Sequence, residues 1–431
     1  MHGRRSAAWS NWWATFVIAL ALGHLSPMTV VLLVTVLTVA MAILFDFTNG
    51  FHDAANSTST VIATKSLRPK QAVTLSAIFN FLPAFIVGTA VANTIAKTVK
   101  LDELPAVAAG AVPFGIRVTL AALVGAVFWN YFTWHLGLPS SSSHALIGGL
   151  VGAAISAGGL SVVSWASVSK TVVAIFASPL VALSVAFTAM WVIRLLQRRT
   201  GIDEDSEFFR WAQVASSAWV SWGHGANDAQ KTMGIITATL YSGGYLAATS
   251  ASTIAPPIWV VLLAQAAIAI GTVWGGWKII ETMGLKITRI TRASGFAANI
   301  GAIAAIDGAT HLAIPISTTQ AVSASIVGSG VGARRKVSWG VMRNMVIAWC
   351  LTLPAGGLVG FVIFKLMILP GALAFIVPGA AILALLVWAG RLMLKSETAA
   401  ELEAKVEASD LLHARSYGFQ VQQVSDSDAG S

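Results

Sequence analysis

Apolar stretches about 20 residues long recur along most of the 431-residue chain, and each could span a hydrocarbon core of roughly 30 Å. Charged residues make up 10% of the sequence and the hydrophobic set 56%, whereas a soluble domain carries about 25% charged residues. A water-soluble fold is therefore excluded. The sequence predicts spans near 9–25, 28–47, 70–96, 115–135, 163–195, 224–241, 256–280, 293–311, 336–365 and 370–393.

The formal charge of +9 does not indicate a nucleic-acid partner, because the basic residues lie in short loops between the spans. Arg194, Arg198 and Arg199 form one such cluster. This distribution follows the positive-inside rule and predicts that the loop near 197–210 faces the cytoplasm. Cys350 is the single cysteine, which excludes an intrachain disulfide and a multi-cysteine metal site.

The two ends of the sequence differ from its body. Arg4 and Arg5 precede an apolar stretch at 12–22, as in a signal peptide, but no small-residue cleavage site follows. We therefore expect residues 1–27 to form a retained extra helix. Residues 394–431 are polar, and we expect a short surface helix followed by a partly disordered end.

Internal repetition is the most informative feature of the sequence, because a fixed order of repeated segments defines the architecture. The segment NGFHDAAN at 49–56 is matched by HGANDAQK at 224–231. A later segment, GLPSSSSH at 137–144, is matched by AIPISTTQ at 313–320. The sequence thus contains two pairs of related motifs in the same order.

The spacing of the motifs supports a duplication. Asp53 precedes Pro139 by 86 residues, and Asp228 precedes Pro315 by 87. We therefore divide the chain into a first repeat at 28–195, a polar central loop at 196–210 and a second repeat at 211–393. Apolar segments interrupted by Gly and Pro at matching positions are typical of a secondary transporter whose site lies near the bilayer midplane. A duplicated structural bundle without a site is the alternative, but it would not need acidic residues at the matched breaks.

The matched carboxylates require partners, because an ionised carboxylate in hydrocarbon is unfavourable. Asn56 follows Asp53 by three residues and would share its helix face. A carboxylate beside an amide oxygen suits a hard cation. In the second copy Lys231 takes the place of Asn56, and we expect its ammonium to act as a built-in counter-ion for Asp228.

Hydroxyl-rich runs supply a complementary anion site. Pro139 and Pro315 fit the first turn of a helix, and the hydroxyls and free backbone N–H groups after them suit an oxyanion. Interhelical hydrogen bonding is the alternative role. His52 could donate to an oxyanion or relay protons, or simply satisfy neighbouring carbonyls. The predicted substrate-binding residues are Ser141, Ser142, Ser143, Ser317, Thr318 and Thr319.

At these motifs the sequence resembles the inorganic phosphate transporter (PiT) family, whose duplicated signature centres on Gly-Ala-Asn-Asp. Residues 225–228, which include Asn227 and Asp228, match that signature, and 50–53 with Asn56 are a variant of it. The resemblance implies an all-α integral membrane protein of two inverted repeats with broken helices and re-entrant hairpins. It also implies a homodimer in the cell membrane, the inner membrane of a bacterium, that carries phosphate with Na⁺ or H⁺.

Two departures from the sodium-coupled members bear on the driving ion. Lys231 stands where those members keep Asn, and so does His52 in the first copy. Both departures resemble the bacterial low-affinity branch, which is proton-coupled and takes phosphate with a divalent metal. We therefore expect symport of phosphate with H⁺, with sodium coupling as the alternative, and a charge network of Asp53, Asn56, Asn227, Asp228, Lys231 and His52.

Three other functions would use some of the same sequence features. A sulfate permease on the same scaffold would use the same anion site, because both anions are tetrahedral. An intramembrane aspartyl protease would need two carboxylates sharing a proton, which Lys231 beside Asp228 opposes. A channel would not explain hairpins at both matched positions. We expect neither an enzyme nor a resident cofactor or metal.

Overall fold

The computed structural model describes residues 26–108, 110–248 and 254–416, and its regular elements there are helices. A bilayer offers backbone groups no hydrogen-bond partners, so a spanning segment must satisfy them internally, as a helix does. The prediction of an all-α membrane protein is confirmed. The predicted N-terminal helix and the end of the polar tail lie outside the described residues.

The helices fall into two halves on either side of the loop at 201–206. Those of the first half are α1 (Pro27–Ala63), α2 (Pro69–Phe81), α3 (Ala90–Ala96), α4 (Phe114–His135), α5 (Ser142–Gly158) and α6 (Trp165–Thr200). Those of the second half are α7 (Glu207–Ser242), α8 (Ile258–Trp274), α9 (Trp277–Glu281), α10 (Arg292–His311), α11 (Thr318–Gly332) and α12 (Trp339–Leu366). Two further helices follow, α13 (Leu373–Leu394) and α14 (Ala399–Ser416).

Broken helices occur at matched places in the two halves. The α2 segment meets α3 at 84°, and α8 meets α9 at 68°. Among the described residues, five helices are long and apolar enough to cross a membrane, and seven spans result if each bent pair counts as one. The predicted spans 70–96 and 256–280 are thus bent rather than straight.

The hydroxyl runs begin short helices. α5 has 17 residues and α11 has 15, fewer than the roughly 20 needed to span a bilayer. Each packs against the helix before it, α5 on α4 and α11 on α10. The short helices α5 and α11 thus have the length expected of re-entrant elements.

Packing between the halves is reciprocal. α5 packs on α12 and α11 packs on α6, while α4 contacts α12 and α10 contacts α6. α6 and α12 even carry matched internal prolines, Pro179 and Pro354. Each short helix, α5 or α11, therefore packs against a long helix of the other half, so the two halves interlock.

The first helices of the two halves, α1 and α7, run antiparallel. Asn49 of α1 bonds to Asp228 of α7, and further along α1 the Ser57 carbonyl accepts from Ser217. Residue numbers therefore rise along α1 as they fall along α7. Opposite directions of corresponding helices are what an inverted repeat requires.

Both motif helices are longer than hydropathy predicted. α1 continues past residue 47 to Ala63, and α7 begins at Glu207 rather than near 224. The polar motifs lower the local hydropathy, but the buried backbone still needs helical hydrogen bonds. Because α6 also extends to Thr200, the non-helical part of the central loop is only 201–206.

Candidate substrate and coupling site

Helices α1 and α7 pack together where the acidic motifs lie, and a matched glycine on each lets it approach a bent helix closely. A Cβ at Gly50 would lie 2.2 Å from the carbonyl oxygen of Ile268 in α8, and one at Gly225 would lie 2.2 Å from that of Asn80 in α2. Each glycine thus lets its helix touch the first bent helix of the other half.

Asp53 is buried and accepts contacts from three side chains. The Nδ1 atom of His52 lies 2.7 Å from its Oδ1. Thr319 Oγ1 donates to Oδ1 over 3.0 Å, and Thr318 Oγ1 donates to Oδ2 over 3.4 Å. The carboxylate of the first motif therefore binds the hydroxyl run at the start of α11, in the second repeat.

Asp228 pairs with Lys231, as the sequence predicted. Lys231 Nζ lies 2.6 Å from Asp228 Oδ1, and both side chains are fully buried. The other carboxylate oxygen accepts from Asn49 Nδ2 over 3.2 Å. The ammonium also donates to Ser143 Oγ at 2.5 Å and to the Ile316 carbonyl at 3.1 Å. Lys231 thereby connects a carboxylate to both hydroxyl-rich segments.

The hydroxyl runs meet at the N-termini of α5 and α11. Ser141 and Ser317 are the N-caps, and each side chain accepts the backbone N–H three residues later over 3.2 Å. The expectation that the prolines occupy the first turn was wrong, because Pro139 and Pro315 lie two residues before the caps. They fix an extended entry to each helix instead.

The next two hydroxyls of each run face the motif helices. Ser142 Oγ donates to Asn49 Oδ1 over 2.6 Å, and Ser143 Oγ donates to the Ile316 carbonyl over 2.8 Å. Asn56 Nδ2 donates to Thr318 Oγ1 over 3.1 Å and to Thr319 Oγ1 over 3.3 Å. Asn56 and Lys231 thus make matching contacts in the two copies, each to the opposite hydroxyl run.

His52 and Asn227 stand at matched positions and hold the extended entries. His52 Nε2 lies 3.4 Å from both Thr133 Oγ1 and Ser140 Oγ. Asn227 Nδ2 donates to Thr310 Oγ1 over 3.0 Å and to the Ile314 carbonyl over 3.3 Å. Both side chains therefore link a motif helix to the segment that precedes a hydroxyl run.

His224 is a site residue that sequence reasoning missed. Its Nε2 lies 3.8 Å from Asp53 Oδ2 and 3.7 Å from Asp228 Oδ2, with no hydrogen-bond partner among the described residues. The ligand atoms of these three residues lie within 4.8 Å of one another, and their types also suit a cation. The signal in the sequence was His224 four residues before Asp228, one helical turn away.

The arrangement combines anion-binding and cation-binding groups in one buried place. Two helix N-termini, with their free N–H groups and hydroxyls, favour an oxyanion. Lys231 and His224 can balance negative charge in surroundings where an unpaired ion is strongly disfavoured. Such a site, at broken helices inside a helical membrane bundle, is typical of a membrane transport protein.

Comparison with known proteins gives the family. The model of the phosphate transporter family matches residues 49–360, which contain every motif described above. The chain belongs to this family, and it is a multi-pass transporter rather than an enzyme.

Individual relatives carry descriptions that agree with this family. A protein of Rhizobium meliloti (strain 1021) described as "Probable low-affinity inorganic phosphate transporter" is 45% identical over 328 residues, covering 74% of this chain and 92% of the relative. A protein of Bacillus subtilis (strain 168) with the same description is 40% identical over 341 residues, covering 79% of this chain and 99% of the relative. A solved structure described as "The sodium-dependent phosphate transporter" superposes with a TM-score of 0.65 at 23% identity, covering 78% of this chain and all of that one. That last similarity concerns the fold alone.

Proposed function

We propose that this protein carries inorganic phosphate across the membrane by symport with protons. The observation that carries the proposal is the buried ammonium of Lys231, which pairs with Asp228 and also reaches Ser143 and the Ile316 carbonyl. A fixed positive charge thus lies where the two hydroxyl runs meet. The described relatives, named as inorganic phosphate transporters, support the substrate.

Phosphate binding is argued from the donors of the two runs. The hydroxyls of Ser142, Ser143, Thr318 and Thr319 each donate to, or accept from, a group of the motif helices in this conformation. An incoming oxyanion would take over the donors that now serve Asp53 and Asn49. The capped N-termini of α5 and α11, at Ser141 and Ser317, would add their helix dipoles.

Proton coupling follows from the charges around that position. Phosphate would enter beside Asp53 and Asp228, and like charges at close range in a low-dielectric site repel strongly. Lys231 compensates for one carboxylate without any mobile ion. A further positive charge or a proton must accompany the anion, and His224 and His52 lie in contact with the carboxylates to share it.

Sodium coupling is the second candidate, because Asp53, His224 and Asp228 cluster closely enough to hold a cation. Lys231 disfavours it, since its ammonium already occupies Asp228 and repels a sodium ion approaching the same oxygens. We also propose that phosphate can travel as a complex with a divalent metal. Asp53, His224 and Asp228 would then be the side chains nearest to the metal of the transported complex.

The proposal includes an architecture of two inverted repeats and assembly as a homodimer. The antiparallel course of α1 and α7 and the reciprocal packing of the hairpins support two inverted repeats, at 28–195 and 211–393, joined by the loop at 196–210. The homodimer stays a prediction.

Uptake of labelled phosphate into proteoliposomes, driven by an inside-alkaline pH gradient, tests the function. We expect accumulation that unlabelled phosphate suppresses and equimolar sulfate does not. Equal suppression by sulfate would favour a general tetrahedral-anion permease, and no accumulation under any proton gradient would remove the proposal of symport with protons.

A further inference from the structure

Asp46 is a buried acid that none of the contacts described so far includes. It lies on α1 seven residues before Asp53, two helical turns away and therefore on a similar face. Its side chain is fully buried, and neither carboxylate oxygen has a hydrogen-bond partner among the described residues. Asp53 and Asp228, by contrast, are each held by donors.

The charged and polar neighbours of Asp46 lie on α7 and on α1 itself. Helices α7, α8, α4 and α2 pack against α1. The charged side chains of Asp228 and Lys231 on α7 lie near Asp46, and Thr232 and Asn49 are polar side chains beside it. Thr232 Oγ1 is also buried without a partner in the described part of the chain.

An ionised carboxylate without donors is the least stable form of a buried acid, whereas the protonated acid is uncharged and can donate. In this conformation Asp46 is therefore suited to hold a proton. Once ionised, it would compete with Asp228 for Lys231, a buried cation on the facing helix.

Asp46 has no acidic counterpart in the second motif helix. Asp53 and Asp228 are 175 residues apart, and the same offset places Ser221 opposite Asp46 and Lys231 opposite Asn56. Apart from the histidines His52 and His224, each motif helix thus carries one buried ionisable side chain that the other lacks, Asp46 on α1 and Lys231 on α7. Ser221 is an ordinary buried hydroxyl that bonds to Ser76 and to the Ser217 carbonyl.

We propose that Asp46 is the group that carries the coupling proton, an assignment that rests on the proposed symport with protons. The acid takes up a proton from water on the side where the site is open and releases it to water on the other side; no covalent chemistry is involved. Loss of the proton draws the Lys231 ammonium toward Asp46 and away from Ser143 and the Ile316 carbonyl. The charge state of Asp46 thereby changes the place where the two hydroxyl runs meet.

Two transport modes in proteoliposomes separate this role from a structural one. Asp46→Asn imitates the protonated acid, so we expect it to lose phosphate accumulation driven by a pH gradient. It should retain exchange of labelled for unlabelled phosphate at equal pH on both sides, because exchange needs no net proton release. Ser221→Ala, at the matched position of the other repeat, should retain both modes.

Accumulation by Asp46→Asn under the pH gradient would overturn the assignment, and so would loss of exchange together with accumulation. If Asp46→Asn fails to insert into the membrane, Asp46→Glu decides the question. It keeps an ionisable group at an altered position, so we expect pH-driven accumulation with a shifted pH dependence, and an unchanged dependence would contradict us. A wild-type protein that exchanges phosphate but never responds to a pH gradient would instead remove the proposed symport itself.

Discussion

Lys231 Nζ lies 2.6 Å from Asp228 Oδ1, and neither side chain is exposed to solvent. Breaking a buried pair by removing one partner destabilises a protein by about 3–5 kcal/mol, because an uncompensated charge remains. Loss of one partner of this pair should therefore destabilise the protein more than loss of the Asp53 carboxylate, because Asp53 is held by hydroxyls and an imidazole.

This difference predicts unequal effects of two matched substitutions. Asp53→Asn and Asp228→Asn should both abolish phosphate accumulation, but only Asp228→Asn should strongly lower the thermal stability of the purified protein. Adding Lys231→Met to Asp228→Asn should recover stability without recovering transport. Equal stability of the two single variants, or wild-type uptake by either, would count against the described roles.

The hydroxyl runs predict a change in apparent substrate affinity. Ser142→Ala and Thr318→Ala should each raise the KM for phosphate, because a donor lost to a charged acceptor is worth about 1.5–3 kcal/mol. Ser325→Ala is the matched control, since that hydroxyl lies further along α11 and bonds to its own helix at the Val322 carbonyl. Initial uptake rates over a range of phosphate concentrations decide the matter, and an unchanged KM in both test variants would place the substrate elsewhere.

The C-terminal helix α14 is held by an exposed ion pair and by a buried side chain, and we expect the two to contribute unequally to its docking. Lys405 contacts Glu281 over 2.7 Å and Glu397 over 3.1 Å, but its side chain is 40% exposed, and such pairs contribute about 0–1 kcal/mol. Leu402 is fully buried, and Leu→Ala at such a site loses about 2–5 kcal/mol. Leu402→Ala should expose α14 to limited proteolysis far more than Lys405→Met, and the reverse order would show that charge holds the helix.

Much of this molecule could be predicted from the order and spacing of its motifs. The i+3 relation between Asp228 and Lys231 was enough to predict their contact, because it depends on one helix alone. The roles of His224 and Asp46 could not be predicted, since each depends on how α1 crosses α7. The position of Pro139 was misjudged because the helix begins after Ser141, whose side chain caps it two residues beyond the proline.

Lys231 also predicts how the driving ion could be altered. Lys231→Asn would restore the amide that Asn56 supplies in the first copy, so the variant should lose uptake driven by a pH gradient and gain a response to sodium. Lys100→Asn is a suitable control, because Lys100 forms only an exposed ion pair with Glu103. A Lys231→Asn variant that keeps full proton-driven uptake would show that the ammonium has no part in coupling.

We propose that a proton, and not a sodium ion, accompanies phosphate, and removal of sodium separates the two possibilities. Proteoliposomes containing the unmodified protein are given a constant inside-alkaline pH gradient, and labelled phosphate uptake is measured with sodium present and with sodium replaced by choline on both sides. We predict the same accumulation in both conditions, collapsing when a protonophore is added. Uptake that stops when sodium is removed, with the pH gradient unchanged, would contradict the account.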